Sequence, residues 1–585
     1  MSALDRDWWK RAVFYQVYPR SFADSNGDGV GDLPGITAHL DHLNDGTPDS
    51  LGVDAIWISP FYRSPMADFG YDVADYRDVD PVFGSLADFD ELVARAHGRD
   101  IRVVVDFVPN HTSDRHPWFR ESRSSRTNPR RDWYVWADPA PDGGPPNNWQ
   151  SRFRIGRAWT FDERTGQYYL HSFLPDQPDL NWWNPAVREE FEAILRFWLD
   201  RGVDGFRVDV AHMMLQDPEL RDNPKSLIAR SRRMDEDWPE VHEIHRSWRR
   251  LLDSYGDRMA VGEVFVPDPK RMAAYYGAAN DELHLVFNFT FLRQPWVASA
   301  FREATESFER VLPAGAWPDY TLSNHDVGRA RSRYDSGAGG GRGPVGLGRA
   351  RVAAMMLLTL RGTPFIYYGE EIGQADAEVP PERAVDVDGR DPERAPMQWA
   401  PGRGAGFTTG EPWLPIGSEA DRVNVAAQRG DQGSMLSLYR RLIWYRKRSA
   451  PLLHGIYRSL DAPEGVFAFV REAAGEALLV ALNFTNREVR FDAAALSPAR
   501  SEGVDGDGSA AGAEPRLGAG RPAAAELRAV AQPPAAPRSP AHGILELSTV
   551  ADRPTGLPVS LRPLSLGPIE GVVVQLGRPE PAPTV

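Results

Sequence analysis

The chain has 585 residues, a formal net charge of −15, 25% charged residues and no cysteine. Disulfides, thiolate catalysis and cysteine-ligated metals are excluded, and no block of Lys and Arg points to a nucleic-acid or polybasic membrane surface. The length suits one large domain with one or two smaller ones, and no apolar run is long enough to cross a bilayer.

Residues 1–22 carry early charge and no continuous apolar core. They read as neither a signal peptide nor a membrane span, so cytoplasmic residence is expected. Short β-branched runs follow, separated by helical patterns. Strands are predicted over residues 13–18, 55–59, 102–107, 205–210, 259–264, 285–289, 320–323 and 365–368. The clearest helix is 185–201, with Asn184 as cap, Pro185 in the first turn and Gly202 at the end. Val187, Phe191, Ile194, Leu195 and Trp198 form its apolar face. Eight strands alternating with helices predict a parallel (β/α)8 barrel of the TIM type, with an open doubly wound sheet as the other topology the pattern allows. Residues 112–182, rich in Trp, Pro, Asn and Asp, are expected to form an inserted domain after the third strand. The barrel then spans 1–111 and 183–453, with a helix near 434–447. Beyond 453 the pattern changes to short strands, so 454–585 is expected to be an antiparallel β domain. Its Ala/Gly/Pro-rich stretch 497–541 has few large apolar residues and reads as a loose insertion. Gly337 to Gly343 reads as a mobile loop rather than a phosphate cradle.

Carboxylates gather at the C-terminal ends of predicted strands: Asp106, Asp209, Glu263 and, after the seventh strand, Asp326. In a parallel barrel these ends converge on one face, where barrel active sites lie. In Gly205-Phe206-Arg207-Val208-Asp209, alternation puts Arg207 and Asp209 on one side of the strand. A neighbouring guanidinium lowers a carboxylate pKa, which suits a nucleophile. Glu263 has apolar sequence neighbours and no adjacent cation, which suits an acid/base. Two such carboxylates about 5 Å apart are the machinery of a retaining glycosidase.

Four segments then carry a resemblance: Asp106-Phe-Val-Pro-Asn-His111, Gly205-Phe-Arg-Val-Asp209, Gly262-Glu263-Val264 and Asn324-His325-Asp326. In this order they are similar to those of the α-amylase family (glycoside hydrolase family 13), and most to its α-glucosidase and oligo-1,6-glucosidase branch. The resemblance runs from Trp8 to about Phe484. It implies Asp209 as nucleophile, Glu263 as acid/base and Asp326 as the third carboxylate. It also implies that His111, Arg207 and His325 bind the sugar in the −1 subsite. Gln177-Pro178-Asp179-Leu180-Asn181 matches the branch signature. Gly70-Tyr71-Asp72 and residues 390–399 match as well. Tyr71 is thereby expected to stack on the terminal glucose. Asp72 and Arg394 are expected to close the pocket around its non-reducing end, with Arg390 as the other candidate partner because Ala395 departs from the usual Thr. Val210 leans toward acceptance of α-1,6 bonds.

Asp24-Ser25-Asn26-Gly27-Asp28-Gly29-Val30-Gly31-Asp32 alternates oxygen ligands around a central glycine, a pattern that suits Ca²⁺. It departs from an EF-hand at position twelve, Gly35. The resemblance implies a structural Ca²⁺, or Mg²⁺, held by Asp24, Asn26, Asp28, the Val30 carbonyl and Asp32. No organic cofactor is expected. The expected activity is that of a retaining, exo-acting α-glucosidase on short oligosaccharides or glucosides, with transglucosylation as a side path. A glucosyltransferase or isomerase, such as a trehalose or isomaltulose synthase, is the alternative. The chain is expected to act as a monomer or homodimer without nucleic-acid or membrane partners.

Overall fold

A computed structural model of the chain describes residues 5–225, 233–335, 343–496 and 541–577. The glycine-rich loop, apart from Gly343, and the 497–541 stretch, apart from Ala541, lie outside the described residues.

Eight strands form one sheet: β1 Phe14–Val17, β2 Ala55–Ile58, β3 Arg102–Phe107, β4 Gly205–Val208, β5 Met259–Gly262, β6 Leu285–Val286, β7 Asp319–Thr321 and β8 Thr363–Tyr367. Neighbours run parallel in the order β6-β5-β4-β3-β2-β1-β8-β7. A single parallel bridge, Phe287 to Asp319, joins the two ends. The sheet is therefore a closed (β/α)8 barrel, and its strands are buried on both faces because helices cover the outside. The apolar runs that predicted strands follow from that double burial. The barrel strands stop short of several predicted ends, since Asp209, Val210 and Glu263 leave the sheet to face the cavity above it.

The helix Pro185–Asp200 begins as expected, with Asn184 Oδ1 accepting from the Ala186 amide at 3.0 Å. Its five predicted apolar residues are all buried. Gly202 adopts φ +94°, a left-handed value that ends the helix at little cost for glycine.

Between β3 and that helix, residues 112–182 hold a helix, Pro117–Ser124, and a small antiparallel sheet of Trp136–Ala137, Gln167–Leu170 and Trp159–Asp162. The helix Met435–Arg448 is capped by Ser434, whose hydroxyl accepts from the Ser437 amide. A six-stranded antiparallel sheet follows, starting at Ile456–Leu460 and ending in sequence with Gly571–Leu576. Its inner residues Phe467, Phe469, Val480 and Leu482 join the same core cluster as Met355 and Leu358 of the helix Pro344–Thr359. Among the described residues no helix is long and apolar enough to cross a membrane.

Candidate active site

The C-terminal ends of the barrel strands open into a cavity of about 500 Å³. Register explains its charged floor. Asp106 pairs across the sheet with Arg207, and Arg207 with Val261, so the β3, β4 and β5 ends stand side by side. The Asp209 amide continues that ladder by donating to the Phe107 carbonyl at 2.8 Å.

Arg207 is 1% exposed and sits at the centre. Its Nη1 donates to Asp209 Oδ1 at 2.6 Å and to Asp106 Oδ1 at 2.8 Å, while Nη2 donates to Glu263 Oε2. This corrects one expectation. Glu263 does have a cation beside it, the same one that serves Asp209. A second correction follows for Asp209. Burial raises its pKa well above the usual carboxylate range, and the negative charges of Glu263 and Asp106 add to that rise against the pull of Arg207. Asp106, also bonded to Trp57 Nε1 and the Tyr71 hydroxyl, is pushed up to about 6 by burial despite Arg207.

Asp326 behaves in the opposite way. Burial opposes its ionisation, yet His325, Arg390, Arg394 and Arg207 together hold it well below the carboxylate range. Arg390 Nη1 and Arg394 Nη2 each lie 3.0 Å from Asp326 Oδ1. His111 and His325 are pushed down to about 3 by burial, so both imidazoles are neutral near pH 7. His325 is held by Gln16 Nε2 at 2.8 Å and by the Tyr71 hydroxyl at 2.7 Å, and Tyr71 stacks on its ring. Tyr71, His111, Asp209, Glu263, His325 and Asp326 all line the cavity.

Asp72 and Arg394 do not line it. Asp72 is fully buried behind Tyr71, accepting from Ser64 Oγ and from the Ala67 and Asp68 amides. Arg394 is likewise buried, bonded to the His325 carbonyl and Asp326. The pair that lines it instead is Asp68 and Arg390, with Nη2 to Oδ1 at 2.7 Å. The reason is local. Phe69 and Gly70 take φ +48° and +112°, and this reversal turns Asp68 toward the cavity and Asp72 away from it. Phe153 and Phe173 of the inserted segment complete the wall, and the Arg390 guanidinium lies 4.8 Å from the Phe153 ring. Gln177, first of the branch signature, donates to Asp68 Oδ2 at 3.0 Å and lies 3.1 Å from His111 Nε2, which ties the inserted segment to the barrel.

Val210, directly after Asp209, has φ +34°, a strained value for a β-branched residue. Its amide points at Glu263 Oε2, 3.2 Å away. No sequence signal announces this turn, since nothing but the backbone bond to Glu263 explains why Val tolerates it.

The Asp24 to Asp32 loop lies elsewhere. Its side chains turn inward: Asp24 accepts from the Asn26, Gly27 and Gly29 amides, Asn26 from the Asp28 amide, and Asp28 from the Val30 amide. Asp32 caps the helix Leu33–Ala38 by accepting from Gly35. The donor set is all oxygen, which fits a hard cation. Among the described residues no three acidic or imidazole side chains converge as a cation cage.

The α-amylase catalytic-domain model matches residues 16–455. The chain belongs to the α-amylase family. It is 43% identical over 533 residues to a probable α-glucosidase of Rhizobium meliloti (strain 1021), covering 86% of this chain and 94% of that one. It is 40% identical to an oligo-1,6-glucosidase of Parageobacillus thermoglucosidasius, covering 83% of this chain and 92% of the other. Among solved structures, an α-glucosyl transfer enzyme superposes with a TM-score of 0.82 at 38% identity, covering 97% of this chain and 99% of that one.

Proposed function

We propose that this α-amylase-family enzyme is a retaining, exo-acting α-glucosidase of short oligosaccharides or glucosides. The observation that carries the reading is one guanidinium, Arg207, bonded to both Asp209 and Glu263 at the floor of a cavity whose wall holds the Asp68–Arg390 pair. In this reading the Asp68–Arg390 pair blocks one end of the cavity, so that one terminal glucose enters and polymers are not cut internally.

In this reading Asp209 attacks the anomeric carbon while Glu263 delivers a proton to the departing oxygen. The bond to the leaving group breaks as the Asp209 ester forms. Glu263, now ionised, then takes a proton from water, and the hydroxyl displaces Asp209 with overall retention. Ionised Asp326 offsets the positive charge that develops on the sugar ring. Neutral His111 and His325 can each donate one hydrogen bond to a sugar hydroxyl, and Tyr71 offers the ring face. If an alcohol replaces water in the second half, glucose is transferred rather than released. Val210 supports acceptance of α-1,6 bonds beside α-1,4.

The test is hydrolysis of p-nitrophenyl α-glucoside by the wild type and by Asp209→Ala. A loss of several orders of magnitude in kcat is expected, and equal rates would reject the assignment. Products from maltose, isomaltose and sucrose separate hydrolysis, read as free glucose, from isomerisation, read as a new disaccharide. The loop of Asp24, Asn26, Asp28, Val30 and Asp32 is proposed to hold a structural Ca²⁺ or Mg²⁺. Chelation should then lower the melting temperature and added Ca²⁺ should restore it. An unchanged melting curve counts against the cation. Cytoplasmic residence is part of the same proposal, supported by the lack of a membrane-spanning helix among the described residues.

A further inference from the structure

Five arginines line the cavity: Arg152, Arg233, Arg271, Arg293 and Arg390. Four are committed to carboxylates. Arg390 pairs with Asp68, Asp326 and Asp386. Arg152 and Arg233 pair with Asp235 and Glu236, and Arg271 pairs with Asp237. Arg293 pairs with no carboxylate among the described residues. Its guanidinium lies 4.9 Å from the Phe265 ring centre, and the side chain is exposed to solvent.

That arrangement is built rather than loose. Phe265 stacks on Phe289 with 4.1 Å between centres and 9° between planes. Arg293 follows the short helix Phe289–Leu292, and its amide donates to the Phe289 carbonyl. A guanidinium resting over an aromatic ring and paired with no carboxylate keeps N–H donors for two-point binding of a planar acid. Phe265 stands two residues past Glu263, so a leaving group protonated by Glu263 departs alongside this platform. The neighbouring surface is apolar, with Met213, Val266, Pro267 and Val327 lining the same cavity. Two further acids line the cavity. Glu236 is paired with Arg152 and Arg233, and burial raises the Asp388 carboxyl above the ordinary range against the pull of Arg390.

We propose that the leaving-group side of the cavity selects α-glucosides whose aglycone is an aryl ring bearing a carboxylate. The ring packs on the apolar surface and the carboxylate meets Arg293. The proposal rests on the α-glucosidase reading above and deepens it by naming an aglycone class.

The experiment compares kcat/KM for 4-carboxyphenyl and 4-carbamoylphenyl α-glucoside in the wild type and in Arg293→Gln. Taking the acid-to-amide ratio in each protein, and then the quotient of the two ratios, removes the intrinsic difference between the leaving groups. The wild-type ratio should exceed that of Arg293→Gln by about fivefold, and the excess should shrink with added salt. Cleavage of the neutral amide glucoside shows that the variant is folded and active. Equal ratios in the two proteins overturn the proposal and leave the α-glucosidase reading standing. If the wild type cleaves neither glucoside nor p-nitrophenyl α-glucoside, both fall together.

Discussion

Arg207 donates to three carboxylates, and its planar fork is what makes that geometry possible. A lysine ammonium keeps the charge but not the span. Hydrogen bonds to charged groups contribute about 1.5–3 kcal/mol each, so Arg207→Lys should lower kcat/KM by roughly a hundredfold while the chain still folds. Steady-state kinetics beside a circular dichroism melt checks both halves. A second residue-scale contrast concerns Asp68 and Asp72. Asp68→Ala removes the partner of Arg390 in the cavity wall and should raise KM by about tenfold, the cost of roughly one charge-assisted bond. Asp72→Asn should act on the melting temperature and leave KM nearly unchanged, because Asp72 holds a turn. Sequence spacing could not choose between these two acids. They flank Tyr71 at positions 68 and 72, and the choice rests on the left-handed turn at Phe69 and Gly70. That Asp209, Glu263 and Asp326 meet at one cavity was legible, because strand ends of a parallel barrel share one face whatever the loops do. The charge state of Asp209 was not, since it depends on Glu263 and Asp106 reaching it from other strands.

Among the elements, the branch signature acts as a strap. Gln177 joins Asp68 and His111, two residues of the cavity wall that come from different loops. Gln177→Ala leaves both without that bond and should cost about 1–2 kcal/mol of transition-state binding, near tenfold in kcat/KM. The loss should appear with a short substrate such as maltose. The helix Pro185–Asp200 and the strand β3 were readable nearly to the residue, because each obeys one period and ends at a residue with a clear local reason. β6 was not: residues 285–289 suggest five strand positions, but only Leu285–Val286 pair as a strand, and the chain turns into a helix at Phe289. Aromatic runs of that kind look alike in a buried strand and in a wall of packed rings.

At the scale of the whole molecule, the C-terminal sheet and the barrel are one hydrophobic body. Arg471, fully buried in that sheet, donates to the carbonyls of Thr359, Leu452 and Gly455. A chain ending at Leu453 would strip the helix Pro344–Thr359 of its cover, so it should be recovered aggregated, as size-exclusion chromatography would show. Asp319 sets a pH dependence of stability. It is 0% exposed, and neither of its carboxylate oxygens has a hydrogen-bond partner among the described residues. Burial raises its pKa well above the carboxylate range. A raised folded-state pKa contributes stability that is fully present below the unfolded value near 4 and is lost as pH rises through the folded value. Asp319→Asn should therefore stabilise the protein by about 1–3 kcal/mol at neutral to alkaline pH, with the gain vanishing in acid. Melting curves across pH read this directly. Asp319 also forms half of the single bridge that joins β6 to β7. Every other junction of the barrel is a ladder, so the ring has one latch. In hydrogen exchange this seam should open first, with the amides around Phe287 and Asp319 losing protection before those of β3 and β4. Alkaline conditions should widen the difference, because the charge they place on Asp319 sits inside the latch itself.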